Sequence, residues 1–440
     1  VSARRSGARA AGPRWSGEVL ESALPLEHTG HLDPLLERTE DARFVLIGEA
    51  SHGTHEYYTW RAELTKRLIA EQGVSFIAVE GDWPDCALLD RWVRGAEPGS
   101  VEQVLGRFER WPTWMWANRE VADFLTWLRA WNAERGPGEP VGFHGLDVYS
   151  LWQSLRAIMD YLEVHDGGAA ATARRAWSCL EPYDEDPQQY ALATRVVPTS
   201  CEEEIVELLQ RLLHDGVPAD GDAGMRLDVE QNAAVAAGAE RYYRAMVRGG
   251  ADSWNVRDVH MTDTLDRLIE HYGAGSRAVV WEHNTHIGDA RATDMADHGL
   301  VNVGQLVRER HLDEGVVLIG AGSHQGSVIA APAWGEPLEE MEVPPARPGT
   351  HERLLHDAGL DQHLFVFPEH RTGWLEAWLG HRAIGVVYRP QLERAGNYVP
   401  TALGRRYDAF WYFDRTQALR PLLRESTPSQ DELETYPFGT

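Results

Sequence analysis

Six residues stand where three apolar segments end or just beyond, and their types suit acid–base chemistry. Glu49 and His52 follow Phe44 to Ile47, Glu80 follows Phe76 to Val79, His283 and His286 follow Ala278 to Trp281, and Arg61 lies in the helical stretch after the first segment. A histidine near neutral pKa can take a proton from water, and a carboxylate three residues earlier can orient the ring and favour its charged form. Two imidazoles three residues apart share a face if the chain turns helically, which suits substrate binding or metal ligation. The Arg61 guanidinium could hold Glu49 or Glu80, or steady a developing oxyanion. Plainer readings exist for each: Glu49 capping the following helix, Glu80 or Asp82 capping a helix that starts near Pro84, and Arg61 in a structural ion pair. Ionisable groups leaving buried strands are costly unless used, which favours the chemical reading for Glu49, His52 and Glu80.

The segments that must position these residues read as buried strands: short, apolar, rich in β-branched residues, and closed by polar or glycine residues. They lie at Phe44 to Ile47, Phe76 to Val79, Val141 to Phe143, Ala278 to Trp281, Val316 to Ile319, Leu364 to Phe367, Ala383 to Tyr388 and Phe410 to Phe413. Helical patterns alternate with them. After the first, Thr54 can cap a helix carrying Trp60, Leu64 and Leu68, and Gly73 can close it before the next strand, which makes a parallel strand–helix–strand unit. Between about Tyr149 and Tyr272 the strand signal disappears and helical stretches take over, including Glu202 to His214, Asp228 to Val247 and Asp258 to Tyr272. The expected fold is a three-layer α/β/α body with a mainly parallel central sheet. Residues 1–27 would be a loose tail, 28–150 and 276–440 the α/β core, and 151–275 a helical insertion that could serve as a lid.

Composition bounds the function. At 43% hydrophobic and 25% charged residues, with seventeen tryptophans, the chain can bury a large core. A formal net charge of -26 repels phosphate backbones and anionic lipid, so neither nucleic acid nor membrane is an expected partner. Lys66 is the only lysine. Cys86, Cys179 and Cys201 cannot make a full disulfide framework and contain no Cys-x-x-Cys pair; a reducing compartment fits best, and the chain reads as cytoplasmic. No Gly-x-Ser-x-Gly elbow, phosphate-binding Gly-x-x-x-x-Gly-Lys loop or His-Glu-x-x-His helix occurs.

Taken in order, Ile47 to Thr54, Trp60 to Arg61, Val79 to Pro84, Pro112 to Asn118, Gly145 to Ser150, Ser253 to Met261, Trp281 to Thr293, Ile384 to Pro390 and Asn397 to Val399 make the chain resemble the erythromycin esterases and their bacterial relatives over Leu32 to Leu419. The resemblance implies hydrolysis of an ester, in the namesake enzymes the macrolactone of a macrolide, by water and without a covalent serine. It places the general base on His52, with Glu49, Arg61, Glu80, His283 and His286 completing the catalytic set. Trp114, Trp116, Asn118 and Asp147 are the expected substrate contacts, the partner is a small ester or lactone, and no cofactor or metal is expected. Glu282 departs from the pattern, since a small residue is expected there. Two alternatives keep the same cluster: a metal-dependent hydrolase, with zinc or manganese on the histidines and carboxylates, and a natural-product tailoring or binding protein that does not hydrolyse.

Overall fold

A computed structural model describes residues 12–108, 110–136, 140–183, 187–196, 200–214, 223–248 and 251–422. Within them the strands in chain order are β1 (Leu24–Pro25), β2 (Phe44–Glu49), β3 (Phe76–Asp82), β4 (Gly142–Asp147), β5 (Ala278–His283), β6 (Val316–Ala330), β7 (Glu339–Val343), β8 (Gln362–Val366), β9 (Trp378–Arg382), β10 (Tyr398–Ala402) and β11 (Ala409–Thr416). One sheet runs β1-β8-β11-β6-β2-β5-β3-β4, with β7 paired to the far half of β6. From β11 to β4 every pairing is parallel, and the antiparallel strands lie at one edge or on the extension of β6.

The apolar runs are continuous because both faces of the sheet are covered. Val45, Ile47, Val79, Val279 and Trp281 enter one core with Leu64, Leu68 and Phe124, while Phe44, Leu46, Ala78 and Val280 enter another with Met261, Leu265 and Leu268. The expected α/β layers are therefore present. The helix after β2, His55–Gln72, starts beyond Thr54 and stops at Gly73, whose φ of 69° is the left-handed conformation that favours glycine. Strand order holds one surprise. β2 and β3 are parallel but not adjacent, because β5 lies between them and pairs with both.

Four sequence expectations need correction. From Gly12 the supposed tail is ordered: Gly12–Ser22 is a helix with Val19 fully buried, and β1 pairs with β8. Residues 383–388 form no strand of the sheet. Their backbone runs across the strand ends and makes single bridges, Ile384 to Ser51 and Val387 to Ala331, while Ile384 and Tyr388 fill a small core with Val328 and Met341. The helical stretch after β4 is real, but it does not behave as one insertion. The helices Leu151–His165, Gly167–Leu180, Glu202–His214 and Ala223–Met246 share their own core, whereas Met261, Leu265 and Leu268 of the helix Asp252–Tyr272 pack on the sheet. Cys179 and Cys201 are joined by a disulfide across 22 residues, and Cys86 is free and buried. Such bonds persist in oxidising surroundings, so cysteine content no longer argues for a reducing compartment. Among the described residues no helix is long and apolar enough to cross a membrane.

Candidate active site

β2 delivers Glu49 at its carboxyl end, and the turn that follows carries His52. Imidazole Nδ1 of His52 lies 2.8 Å from Glu49 Oε1, while Arg61 donates to Glu49 Oε2 at 2.5 Å. Arg61 is buried beneath Tyr58, with its guanidinium carbon 3.6 Å from that ring's centroid and 4.7 Å from that of Trp281. It acts from behind Glu49 and does not line the cleft. With Nδ1–H directed at the carboxylate, Nε2 of His52 is the basic nitrogen; it makes no hydrogen bond among the described residues.

The turn is locked from below. Gly53 accepts at its carbonyl from the backbone N–H of Ile329 and of Leu419, each at 3.0 Å, and a Cβ on Gly53 would fall 1.8 Å from the Ile329 carbonyl oxygen. That neighbour is backbone and cannot rotate away. Gly53→Ala is therefore expected to destabilise the fold by about 1–3 kcal/mol, read as a lower urea midpoint. An unchanged midpoint would mean that the turn is not clamped.

Because β5 separates β2 from β3, His283 emerges between Glu49 and Glu80. Glu80 accepts the backbone N–H of His283 at 2.8 Å. The His283 ring stands 4.9 Å from that of His52, centroid to centroid. His283 Nδ1 lies 2.7 Å from Thr285 Oγ1 and accepts the Thr285 backbone N–H at 3.3 Å, so the proton resides on Nε2, which is buried with only a weak interaction with the Ala50 backbone. The short helix Asn284–Ile287 then places His286 beside Glu80, with Nε2 at 3.4 Å from Oε1 and Nδ1 at 2.9 Å from Asp258 Oδ1.

The charge that ties the cluster together is Arg257, on the helix Asp252–Tyr272. It donates to Asp147 through Nε at 2.9 Å and Nη2 at 2.7 Å, to Glu80 through Nη2 at 2.8 Å, and lies 3.1 Å from His286 Nε2 through Nη1. Burial opposes ionisation of Glu80, but His286, His52 and Arg257 hold it well below the usual carboxylate range. Burial alone would likewise lower His52; Glu80 and the hydrogen bond that His52 donates to Glu49 outweigh it and hold the imidazole above its ordinary 6.5. Burial and the neighbouring charge of His52 drive His283 well below that value, which keeps it a neutral donor. Glu282, the residue that departs from the expected pattern, is fully enclosed with neither oxygen partnered; burial first, then Glu80 and Asp258, push it far up, so it is a neutral acid.

His52, Glu80, His283, His286, Trp116 and Asp147 all line one cleft that opens to solvent. Glu49 stands behind His52. Trp114 and Asn118, expected as substrate contacts, do not line it. Trp114 is buried in the core, and Asn118 caps the helix Arg119–Ala133 by accepting from Val121 N–H at 2.8 Å. Sequence reasoning passed over Trp254, Arg257 and Asp258. The signal was present: these residues sit at i, i+3 and i+4 on the helix face that continues as Met261, Leu265 and Leu268, so charged residues interrupt an inward-facing stripe.

Residues 69–416 match the family model described as erythromycin esterase. The chain belongs to the erythromycin esterase family. The match starts inside the helix His55–Gln72, so Glu80, Arg257, His283 and His286 fall within it while Glu49, His52 and Arg61 precede it. Erythromycin esterase type II of Escherichia coli is 19% identical over 379 residues, covering 78% of this chain and 84% of that one. Among solved structures, a succinoglycan biosynthesis protein superposes with a TM-score of 0.76 at 20% identity, over 92% of this chain and 97% of the other. A Bacillus cereus protein gives 0.78 at 19%, over 93% and 99%. A mutant erythromycin esterase in its open conformation gives 0.65 at 15%, over 94% and 98%. At such identities these structures establish the α/β fold that the family shares.

Proposed function

We propose that this erythromycin esterase family member hydrolyses a carboxylic ester or lactone of a small molecule by direct attack of water. The observation that carries the reading is that two imidazoles of unlike character neighbour each other in the cleft: His52, oriented by Glu49, and His283, its ring 4.9 Å away centroid to centroid. His52 Nε2 takes a proton from water as its oxygen adds to the carbonyl carbon. The resulting oxyanion is met by His283 Nε2–H and the positive field of Arg257. Collapse breaks the bond to the alcohol oxygen, which receives the proton back from His52. Water and ester become acid and alcohol, with no group left on the protein.

A panel of macrolactones and simple esters in water enriched with heavy oxygen tests this. One solvent oxygen is expected in the acid product. Turnover without it would assign a non-hydrolytic reaction.

The cluster's groups are already engaged with one another: Glu49 with His52 and Arg61, Glu80 with Arg257 and His283 N–H, and His286 with Asp258 and Arg257. Among the described residues no group of three or more histidine, cysteine or carboxylate side chains is placed to hold a metal ion. Dialysis against a strong chelator is accordingly expected to leave the rate unchanged; a loss restored by zinc or manganese would replace the His52 mechanism with a metal-bound hydroxide.

A further inference from the structure

Asp82 ends β3 two residues beyond Glu80 and holds the cap position of the helix Trp83–Val93, yet its side chain makes no cap hydrogen bond. One carboxylate oxygen, Oδ2, takes Arg110. The other, Oδ1, is buried without a partner, although the residue as a whole is only 8% exposed. A buried acceptor left in that state forfeits its hydration with nothing in return, which is tolerated where a ligand supplies the missing bond. Asp82 also marks a junction. It lines the catalytic cleft and also an adjoining pocket with Asp85, Arg107, Arg110, Ser150 and Gln153.

The surroundings decide what kind of donor fits. Arg110 is paired with Asp82 and Arg257 adds positive charge nearby, while Asp147 and the pocket-lining Asp85 add negative charge and Arg107 is paired with Glu97, so the charges nearly balance and an ammonium group would gain little for its lost hydration. A neutral hydroxyl gains a bond at no such cost. Ser150 and Gln153 both donate and accept, as a second or third hydroxyl requires. Both oxygens move together about the terminal torsion, so Oδ1 swings toward a ligand only as Arg110 follows Oδ2.

We propose that the pocket beside Asp82 is a subsite for a polyhydroxylated alcohol portion of the substrate, a sugar or polyol ester, with Asp82 Oδ1 accepting one of its hydroxyl hydrogens. The proposal rests on the hydrolase reading for its reaction but not for its binding.

Two esters of one acid, ethyl butanoate and glucose 6-butanoate, separate recognition from chemistry. The wild type is expected to favour the glucose ester in kcat/KM by about tenfold or more. Asp82→Ala deletes the acceptor, and in Asp82→Asn the amide oxygen stays with Arg110 and turns an NH2 toward the subsite. Each is expected to cut the preference about tenfold, mainly through KM. A preference that survives both substitutions overturns the subsite, as does 6-aminohexyl butanoate outcompeting the glucose ester. If the wild type cleaves none of these esters, the hydrolase reading fails alone, and calorimetric titration with methyl glucoside reads the subsite. Binding that is lost in Asp82→Asn supports it; absent binding, or equal binding in the two proteins, overturns it.

Discussion

His52→Asn lowers kcat by about 10²- to 10⁴-fold and leaves KM within a few-fold, the range over which a positioned general base contributes. The substitution keeps the approximate size of the side chain and can still meet Glu49, so thermal unfolding should separate little from the wild type. The pH profile provides the sharper reading. His52 must be neutral to accept a proton, and its pKa lies above 6.5, so kcat/KM rises with pH along a one-proton limb whose midpoint is also above 6.5. The midpoint has a built-in test of sign. Glu80 raises the His52 pKa and Arg257 lowers it. Removing the negative charge, as in Glu80→Gln, should therefore move the limb to lower pH, and removing the positive one should move it up. A limb that ignores both, or full turnover by His52→Asn, takes His52 out of the chemistry.

Much of this site could be read from residue types because strand ends are abrupt. Glu49, Glu80 and His283 each follow a run of buried apolar residues, and where parallel strands stop, side chains enter a common crevice. What the pattern could not carry was order. Pairing of β5 between β2 and β3 is a contact between segments some 200 residues apart, decided by how all the strands pack, and it is this that brings His283 next to His52 and Glu80. Arg257 was hidden for a different reason. On a helix, charge normally marks the solvent face, and only the phase of Trp254, Met261 and Leu265 shows that Arg257 points inward. Trp114 and Asn118 mislead in the opposite sense, since an aromatic residue and an amide near a site serve equally well as core and as a helix cap. Residues 383–388 have the composition of a strand, but hydrogen-bond partners are available to them only one at a time across the strand ends.

Arg257 is where stability and chemistry are most tightly joined, and its removal has the second large expected effect. Four of its donor contacts are spoken for: two on Asp147, one on Glu80 and one at His286. Lysine, a point charge on a flexible stem, cannot reproduce that fork. Arg257→Met leaves Glu80 and Asp147 buried without their cation, which is expected to cost about 3–5 kcal/mol of folding stability. It also takes away the positive field proposed to meet the oxyanion, worth about 10²- to 10³-fold in kcat. A single variant cannot separate the two losses. The double variant Arg257→Met with Asp147→Leu can, because replacing both members of a buried pair with apolar groups is close to neutral for stability. Stability should return in part, with Glu80 still lacking its cation, while kcat stays low and the acid limb stays shifted to higher pH. Recovery of rate together with stability would make Arg257 a brace for Glu80 and Asp147, and would leave His283 as the donor that meets the oxyanion.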